Sequence, residues 1–292
     1  MPNNFMPRTR TVSGKRKHAP GLYVFGVVAA LMLVGAPAAA QFRPRPINGP
    51  AIGETYHIEA AAGFWFPSAD IGIASGGSGT LSGIAGTPIN AKADLGLTDQ
   101  HFGELHVTLR PVRSSKFRFQ YIPITYDQTS SLTRTINFNG QRYTLGVPVN
   151  SSIDWKAYRF GYEYDFIIKN RGFGGFVLDF KYTDVTATLA STQRSDFVHA
   201  RAPIPALGGI FRVYALPNVS VTGEITGFKL PDKLVKNATG HYVDVDFYGT
   251  MNFTPNVGAQ LGFRSFDVGY VVDTDTGNFT LKGLYLGFVA RY

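Results

Sequence analysis

The sequence lacks cysteine entirely, carries few charged residues and has no long apolar run after residue 40. Without cysteine the chain can form no disulfide, thiolate metal site or cysteine nucleophile. Charged residues make up 16% of the sequence, compared with roughly 25% in soluble domains. A membrane helix needs about 18 consecutive apolar residues, so none is predicted beyond residue 40.

The first 40 residues have the composition of a secretory signal peptide. Residues 1–20 contain five Lys or Arg side chains and no acid, and an apolar run follows at residues 21–34. Pro37 and an Ala-x-Ala site at residues 38–40 precede Gln41, which favours cleavage there over an uncleaved membrane helix. We therefore predict a signal peptide at 1–40, a proline-rich periplasmic leader at 41–52 and the main folded part at 53–292.

The positive net charge belongs largely to the signal peptide. Of 28 basic residues, five lie in residues 1–40, which leaves 23 basic against 20 acidic residues, or +3. A charge this small is no argument for binding a polyanion. No nucleic-acid partner is predicted.

Aromatic residues are abundant, with 15 Tyr and 23 Phe. From residue 54 onward, apolar and polar residues alternate in segments separated by Pro, Gly and Asn breaks, as in β-strands with two different faces. Ten such strands are predicted, at residues 54–66, 100–110, 116–127, 153–167, 174–189, 206–216, 219–230, 241–253, 257–272 and 280–292.

The last segment ends the chain on an aromatic residue, with Leu284, Leu286 and Phe288 on its apolar face. This ending resembles the terminal strand of the Gram-negative outer-membrane β-barrel class, although the last strand of a soluble sheet is an alternative. The residues that carry the resemblance are Tyr285, Gly287, Ala290 and Tyr292. The resemblance implies that this strand is recognised by the barrel-assembly machinery and that the barrel contacts outer-membrane lipid.

The predicted fold is all-β: a transmembrane antiparallel up-and-down β-barrel of about ten strands, with eight to twelve possible. Tight turns alternate with longer loops, which predicts short periplasmic turns, longer external loops and both termini in the periplasm of an outer-membrane protein. Residues 67–98 and 128–150 are expected to be external loops, the second with a hairpin turn at Asn139-Gly140. A bulge or the rim of the barrel is expected at Val185, where the alternation is lost.

The energetic cost of placing charge in lipid predicts which strand face lies inside the barrel. An Arg facing lipid at the bilayer midplane costs about 2–4 kcal/mol, so the charged residues should face the lumen. The predicted lumen charge network comprises His57, Glu59, Glu104, His106, Arg110, Arg118, Arg159, Glu163, Arg212, Glu224, Asp244 and Arg264. Since side chains just fill a barrel of about eight strands, ten strands predict a plugged lumen. A narrow water-lined channel is the rival.

No complete catalytic constellation is present in the sequence. Ten-stranded outer-membrane proteases place paired Asp residues and an Asp-His pair at the rim. Here Asp273-x-Asp275 and Asp244-x-Asp246 occur without an Asp-x-His partner. Lipid A deacylases use a His and a Ser two residues apart, and none of the six His residues has this spacing.

Two acid–His pairs, His57 with Glu59 and Glu104 with His106, could share a proton or a metal. A salt-bridged lumen is favoured over such a cluster. No catalytic, cofactor-binding or metal residue is therefore assigned, and no cofactor is predicted. The predicted function is a non-enzymatic outer-membrane barrel with a structural or narrow-permeation role. The alternatives are a rim enzyme acting on lipid or peptide, and a surface adhesin.

Overall fold

The computed structural model describes residues 49–77, 83–192, 195–230 and 238–292. The predicted signal peptide and most of the predicted leader lie outside these residues. Within the described ranges, no helix reaches the length and hydropathy of a membrane span.

Thirteen β-strands are present in the described residues. They are β1 (Ile58–Ala74), β2 (Ile89–Asn90), β3 (Phe102–Val112), β4 (Ser115–Ser131), β5 (Ile136–Phe138), β6 (Gln141–Tyr143), β7 (Pro148–Lys169), β8 (Gly172–Ser191), β9 (Ser195–Leu216), β10 (Val219–Leu230), β11 (Ala238–Asn252), β12 (Val257–Val272) and β13 (Asp275–Arg291). The ten long strands pair antiparallel with their neighbours in chain order, and β13 pairs with β1. The predicted ten-stranded up-and-down barrel is confirmed, and its closure removes the exposed sheet edge.

The two ends of the barrel differ. The turn end carries the short connections at residues 113–114, 170–171, 217–218 and 253–256. The first and last strands also meet there, because the Tyr292 carbonyl accepts hydrogen bonds from the amides of His57 (2.7 Å) and Ile58 (2.9 Å). The loop end carries the longer connections at residues 75–101 and 132–147.

Several strands extend farther toward the loop end than predicted. β1 continues to Ala74, and β8 and β9 occupy most of the segment 190–205 that was predicted to be a loop. β13 begins at Asp275, so its connection to β12 is short as well. Of the two interpretations of Val185, the bulge is wrong, because Val185 pairs with Trp155 in unbroken register. The predicted Asn139-Gly140 turn is confirmed and joins β5 to β6, with positive φ at both residues.

The distribution of apolar and polar side chains reverses part-way along the barrel. Residues of the same parity point inward throughout, but apolar side chains lie outside in one half and inside in the other. In the turn half, Phe160 and Phe180 are exposed on the outer face while the neighbouring Arg159 is buried inside. In the loop half, Trp155 is buried inside while Lys156 is exposed outside. The turn half therefore follows the rule of membrane barrels, and the loop half follows the rule of water-soluble barrels with an apolar interior. This reversal, and not a bulge, explains the lost alternation at Val185.

A hydrophobic core fills the loop half. Strand residues Trp65, Ile124 and Leu281 are at most 2% exposed, and they belong to one cluster with Ile136 and Ile89 from the loops. The two long loops therefore fold over and into the barrel mouth. Burying apolar side chains from both strands and loops is the dominant stabilising term in such a core.

The two loops are also joined by an ion pair. Arg134 donates to both carboxylate oxygens of Asp94, at 2.7 and 2.8 Å. Hydrogen bonding to Arg134 lowers the pKa of Asp94 from its ordinary value. The hydroxyl of Ser130 donates to the Leu95 carbonyl at 2.8 Å, so the first loop is fixed to β4 as well.

Candidate functional site: the filled lumen

The centre of the lumen is occupied by ion pairs that reach across the barrel. Glu224 on β10 accepts hydrogen bonds from Arg118 on β4, at 2.7 Å, and from Arg159 on β7. Arg159 also lies 2.7 Å from Asp179 on β8. These four side chains come from four strands and are at most 15% exposed to solvent. Because buried charges are costly unless paired, the pairing is what allows them to fill the interior.

A second group lies next to the apolar core of the loop half. The Lys181 Nζ donates to Asp244 Oδ2 (3.0 Å), to the Tyr242 hydroxyl (2.7 Å) and to Thr226. Arg264 donates to both oxygens of Asp244, at 3.0 and 2.7 Å. Such a bidentate Arg–carboxylate pair fixes the geometry as well as the charge.

A third group lies toward the turn end and is joined to the centre. Lys116 Nζ lies 2.5 Å from Glu163, 2.9 Å from Asp165 and 3.5 Å from the ring centroid of Phe173. The other oxygen of Glu163 is 3.2 Å from Arg118, which links the third group to the first.

The three groups together form what we call the lumen network. Its basic members are Lys116, Arg118, Arg159, Lys181 and Arg264, and its acidic members are Glu163, Asp165, Asp179, Glu224 and Asp244. Five basic and five acidic groups are thus paired with one another, which offsets part of the cost of burying them. A further buried acid, Glu104, lies 3.9 Å from Arg264.

The structure places six of the twelve predicted lumen residues in this network: Arg118, Arg159, Glu163, Glu224, Asp244 and Arg264. Glu104 and His106 lie beside it, 3.3 Å apart, with Gln120 2.8 Å from His106. The other four members, Lys116, Asp165, Asp179 and Lys181, were not among the twelve, although each has the inward parity of its predicted strand. That parity was the signal that could have identified them.

Glu59, Arg110 and Arg212 lie in a separate group at the turn end, and His57 belongs to neither group. His57 is exposed, and its Nδ1 is 3.3 Å from the Arg110 carbonyl oxygen. Placing His57 in the lumen was wrong because β1 begins at Ile58, so the alternation does not extend back to residue 57. Of the two predicted acid–His pairs, Glu104 and His106 are in contact, whereas Glu59 pairs with Arg291 at 2.5 Å and not with His57.

Residues 51–57 fold across the turn end, and we call them the N-terminal cap. Glu54 accepts hydrogen bonds from Arg212 (3.0 Å) and from the Tyr214 hydroxyl (2.8 Å), while Arg110 donates to the Glu54 carbonyl. Tyr56, predicted to face outward in the first strand, is instead 6% exposed beneath Arg110. The cap therefore replaces the first residues of the predicted first strand.

The start of the cap is held by backbone hydrogen bonds. The Ile52 amide donates to the Pro217 carbonyl at 2.7 Å, and its carbonyl accepts from Asn252 at 2.8 Å. Gly53 has φ +87°, and a Cβ there would lie 2.8 Å from Arg291 Nη1. The backbone conformation favours glycine at this position.

The cavities recorded within the lumen are small. One of about 30 Å³ lies between Trp65, Lys181 and Arg264, and one of about 40 Å³ lies between His106, Arg118 and Tyr285. Each has room for a few water molecules at most. Neither cavity is an aqueous passage.

Of the four acids considered as catalytic candidates, Asp244, Asp246 and Asp275 have structural partners. Asp275 accepts hydrogen bonds from the Ser75 hydroxyl (3.0 Å) and the Gly76 amide (3.2 Å), and Asp273 has φ 51° in the turn before β13. Asp246 accepts from the Tyr285 hydroxyl at 2.9 Å. Among the described residues, no group of three or more His, Asp and Glu side chains is placed to hold a metal ion.

The outer face of the turn half is a continuous apolar belt. Its exposed members include Phe66, Phe117, Phe160, Phe180, Phe211, Phe247, Leu261, Leu284, Leu286 and Phe288. Aromatic rings from adjacent strands contact one another in this belt, as in the Phe119–Phe160 and Tyr121–Tyr158 pairs, with centroids 5.2 and 4.9 Å apart. An apolar, aromatic outer belt is typical of barrels that span the outer membrane.

The four residues of the predicted assembly signal occupy different environments on β13. Tyr285 is 5% exposed inside the barrel and Ala290 is buried, while Tyr292 is exposed at the turn end. A Cβ at Gly287 would lie 2.9 Å from the Ala62 carbonyl oxygen, so glycine lets β1 and β13 pair closely.

No protein-family model and no curated protein matches the sequence. Among solved structures, the chain is similar to the outer membrane protease OmpT from Escherichia coli, with a TM-score of 0.55 and 7% identity over 85% of this chain and 100% of that chain. The P. putida toluene transporter TodX matches with a TM-score of 0.36 and 8% identity, over 90% and 94% of the two chains. The outer membrane protein AlkL matches with a TM-score of 0.32 and 10% identity, over 86% and 97%.

At 7% identity, the likeness to OmpT shows a shared fold and nothing about activity. Together with the closed ten-stranded sheet, it confirms the predicted class: this chain has the fold of a Gram-negative outer-membrane β-barrel protein.

Proposed function

We propose that this protein is a non-enzymatic structural barrel of the outer membrane whose lumen does not conduct. The observation that carries the proposal is the filling of the interior at three successive levels. The N-terminal cap lies across the turn end, the lumen network fills the middle, and the apolar core with its loops fills the loop half. Filling of this kind suits a rigid membrane element better than a pore.

The environment and partners of the barrel belong to the same proposal. The apolar belt would contact outer-membrane lipid, and the terminal strand, with Tyr285, Gly287, Ala290 and Tyr292, would be recognised by the barrel-assembly machinery. The turn end would face the periplasm, because barrels of this class have short periplasmic turns. Signal cleavage would leave the N-terminus on the same side, which agrees with the position of the cap.

The proposal predicts electrical silence in a planar lipid bilayer. The purified, folded protein should show no large, stable single-channel steps at neutral pH, because paired charges and packed side chains fill its interior. Insertion would be verified on the same preparation by heat-modifiable gel migration and by protease protection after reconstitution. Uniform, long-lived conductance steps from verified insertions would overturn the sealed lumen and support the narrow channel.

Export and processing give a separate prediction. Cleavage after Ala40 should leave Gln41 as the first residue of the membrane-extracted protein, because the Ala-x-Ala site directly precedes it. Mass spectrometry of the N-terminal peptide checks this, with an Ala38→Arg, Ala40→Arg variant as the processing-blocked control. An intact Met1 in the wild-type protein would contradict the signal-peptide assignment.

A further inference from the structure

The two ends of the barrel differ in the sign of their exposed charges. In the described residues, the exposed acids all lie in the loop half or its connections: Asp70, Asp99, Asp127, Asp154 and Asp273. The exposed charged side chains at the turn end are Arg113, in the turn between β3 and β4, and Lys169, at the end of β7. Acids near this end are paired with basic groups, Asp165 with Lys116 and Glu54 with Arg212. The outer surface of the turn end is therefore positively charged.

The two exposed cations lie on neighbouring hairpins. The Asp165 amide of β7 donates a hydrogen bond to the Ser114 carbonyl at 2.8 Å, in the turn that carries Arg113. Within the described part of the chain, neither the Arg113 nor the Lys169 side chain makes an ion pair. Both charges are therefore available to an anion outside the protein.

A β-bulge places additional apolar side chains next to Lys169. The register of β7 against β8 shifts between Asp165 and Ile167, so Phe166 is an extra residue in β7. Phe166 and Ile167 are consecutive, yet they are 63% and 49% exposed. A regular strand would turn one of two consecutive side chains inward, and the bulge prevents this. Lys169 has the strand parity of Ile167, so it follows this apolar pair on the outer face.

Val112 extends the apolar surface on the neighbouring hairpin. It is 56% exposed and directly precedes Arg113. We call Val112, Arg113, Phe166, Ile167 and Lys169 the turn-end patch. Its apolar members continue the apolar belt, and its cations come after them, at the end of the barrel. The same order, apolar and then charged, is found from the acyl chains to the headgroups of a lipid leaflet.

We propose that the turn-end patch binds an anionic phospholipid. The acyl chains lie against Phe166, Ile167 and Val112, and the phosphate lies near the two cations. A lipid is favoured over a hydrophilic polyanion, because a polyanion would leave the three apolar side chains in water. With the turn end in the periplasm, as proposed above, this lipid belongs to the periplasmic leaflet.

This inference rests on the proposed membrane placement, but it goes beyond the structural role. Its test measures lipid binding and not conductance, so the two proposals can fail separately. A conducting barrel that selects the anionic lipid would contradict only the sealed lumen. A silent barrel without lipid selectivity would contradict only the patch.

The test is native mass spectrometry of the full processed protein in detergent micelles. Phosphatidylglycerol and phosphatidylcholine with the same acyl chains are added at equal concentration. Each Lys or Arg near an anionic lipid surface strengthens binding about fivefold, so two cations should give a preference of roughly 20-fold for phosphatidylglycerol. The double variant Arg113→Gln, Lys169→Gln should bind both lipids about equally.

The double variant Lys156→Gln, Lys229→Gln is the matched control. It removes the same charge from exposed positions on the outer face of the loop half, so it should keep the preference. Heat-modifiable gel migration would verify that all variants are folded. Equal loss of preference in both double variants would show a response to net charge and would overturn the patch, as would a preference that survives Arg113→Gln, Lys169→Gln.

The class of ligand is tested by competition on the wild-type protein. Soluble glycerophosphoglycerol, the headgroup without acyl chains, and soluble peptidoglycan fragments should not displace phosphatidylglycerol at equal concentration. Displacement by either would show that a hydrophilic anion occupies the patch, and would overturn the lipid.

Discussion

Leu286→Arg should prevent most of the protein from reaching a stable folded barrel. Leu286 is 47% exposed in the apolar belt, between Phe64 of β1 and Leu261 of β12 in the sheet register. An Arg facing lipid near the midplane of the bilayer costs about 2–4 kcal/mol, a large part of the roughly 5–15 kcal/mol that stabilises a typical folded domain. Heat-modifiable gel migration after refolding into lipid vesicles would report the folded fraction.

Thr280→Arg is the matched control for this substitution. Thr280 lies on the same strand and the same outer face, six residues or about 20 Å nearer the loop end. Its hydroxyl donates to Asp267 at 2.9 Å, so an Arg there would have a carboxylate partner outside the apolar belt. Near-normal folding of Thr280→Arg is expected. Equal tolerance of both substitutions would show that the belt does not contact lipid.

Glu224→Ala should be the most destabilising single change in the lumen network. It removes the carboxylate shared by Arg118 and Arg159 and leaves two buried guanidinium groups without that partner. Breaking a buried ion pair in this way costs about 3–5 kcal/mol. The urea midpoint of unfolding, measured for the protein in lipid vesicles, should fall accordingly, and Glu224→Gln should lie between Ala and wild type because its amide oxygen still accepts a hydrogen bond.

Asp184→Ala removes an acid from a comparable ion pair on the outer surface. Asp184 lies 2.7 Å from His199 and 3.1 Å from Arg201, but these partners are partly exposed to solvent. Surface pairs contribute about 0–1 kcal/mol, so this variant should unfold close to wild type. A Glu224→Ala midpoint as high as that of Asp184→Ala would mean that water screens the lumen charges and that the lumen is not dry.

The turn half could be predicted from sequence because one local rule governs it. Phe160 and Arg159 alternate as lipid-facing and lumen-facing residues must, and the breaks at Pro217-Asn218 and Pro255-Asn256 mark the turns. With each strand pairing to its neighbour, these local signals determine the order of the sheet. The strand order and the outward face of the belt therefore followed from alternation and the cost of charge in lipid.

The loop half was not predicted because the rule of apolar residues outside and polar residues inside is reversed there. Lys156 has the same parity as Phe160, and Asp184 has the same parity as Phe180. Both residues lie inside predicted strands, but a single outward face was assumed for the whole strand, so the loss of alternation near Val185 was interpreted as a bulge or the rim. The signal that would have revealed the extended strands and their apolar interior is a charged residue at a position whose parity is apolar elsewhere in the same strand.

The contacts of the site depend on distances across the barrel that no local pattern specifies. Glu224 and Arg118 are 106 residues apart and belong to strands that are not neighbours in the sheet. Alternation predicts that both point inward, but the curvature of the closed sheet decides that they meet. The N-terminal cap was missed for the same reason, since it depends on chain segments that converge only in the fold.

The reversal of apolar and polar faces along the strands has a consequence for how far the barrel extends beyond the membrane. β7 is 22 residues long, or about 70 Å of strand at roughly 3.3 Å per residue. With a strand tilt of about 40° and an apolar belt about 25 Å tall, a stiff β-cylinder would stand roughly 30 Å above the hydrocarbon layer. With the turn end in the periplasm, as proposed above, a solute approaching the cell would then meet hydrogen-bonded protein wall before it met lipid.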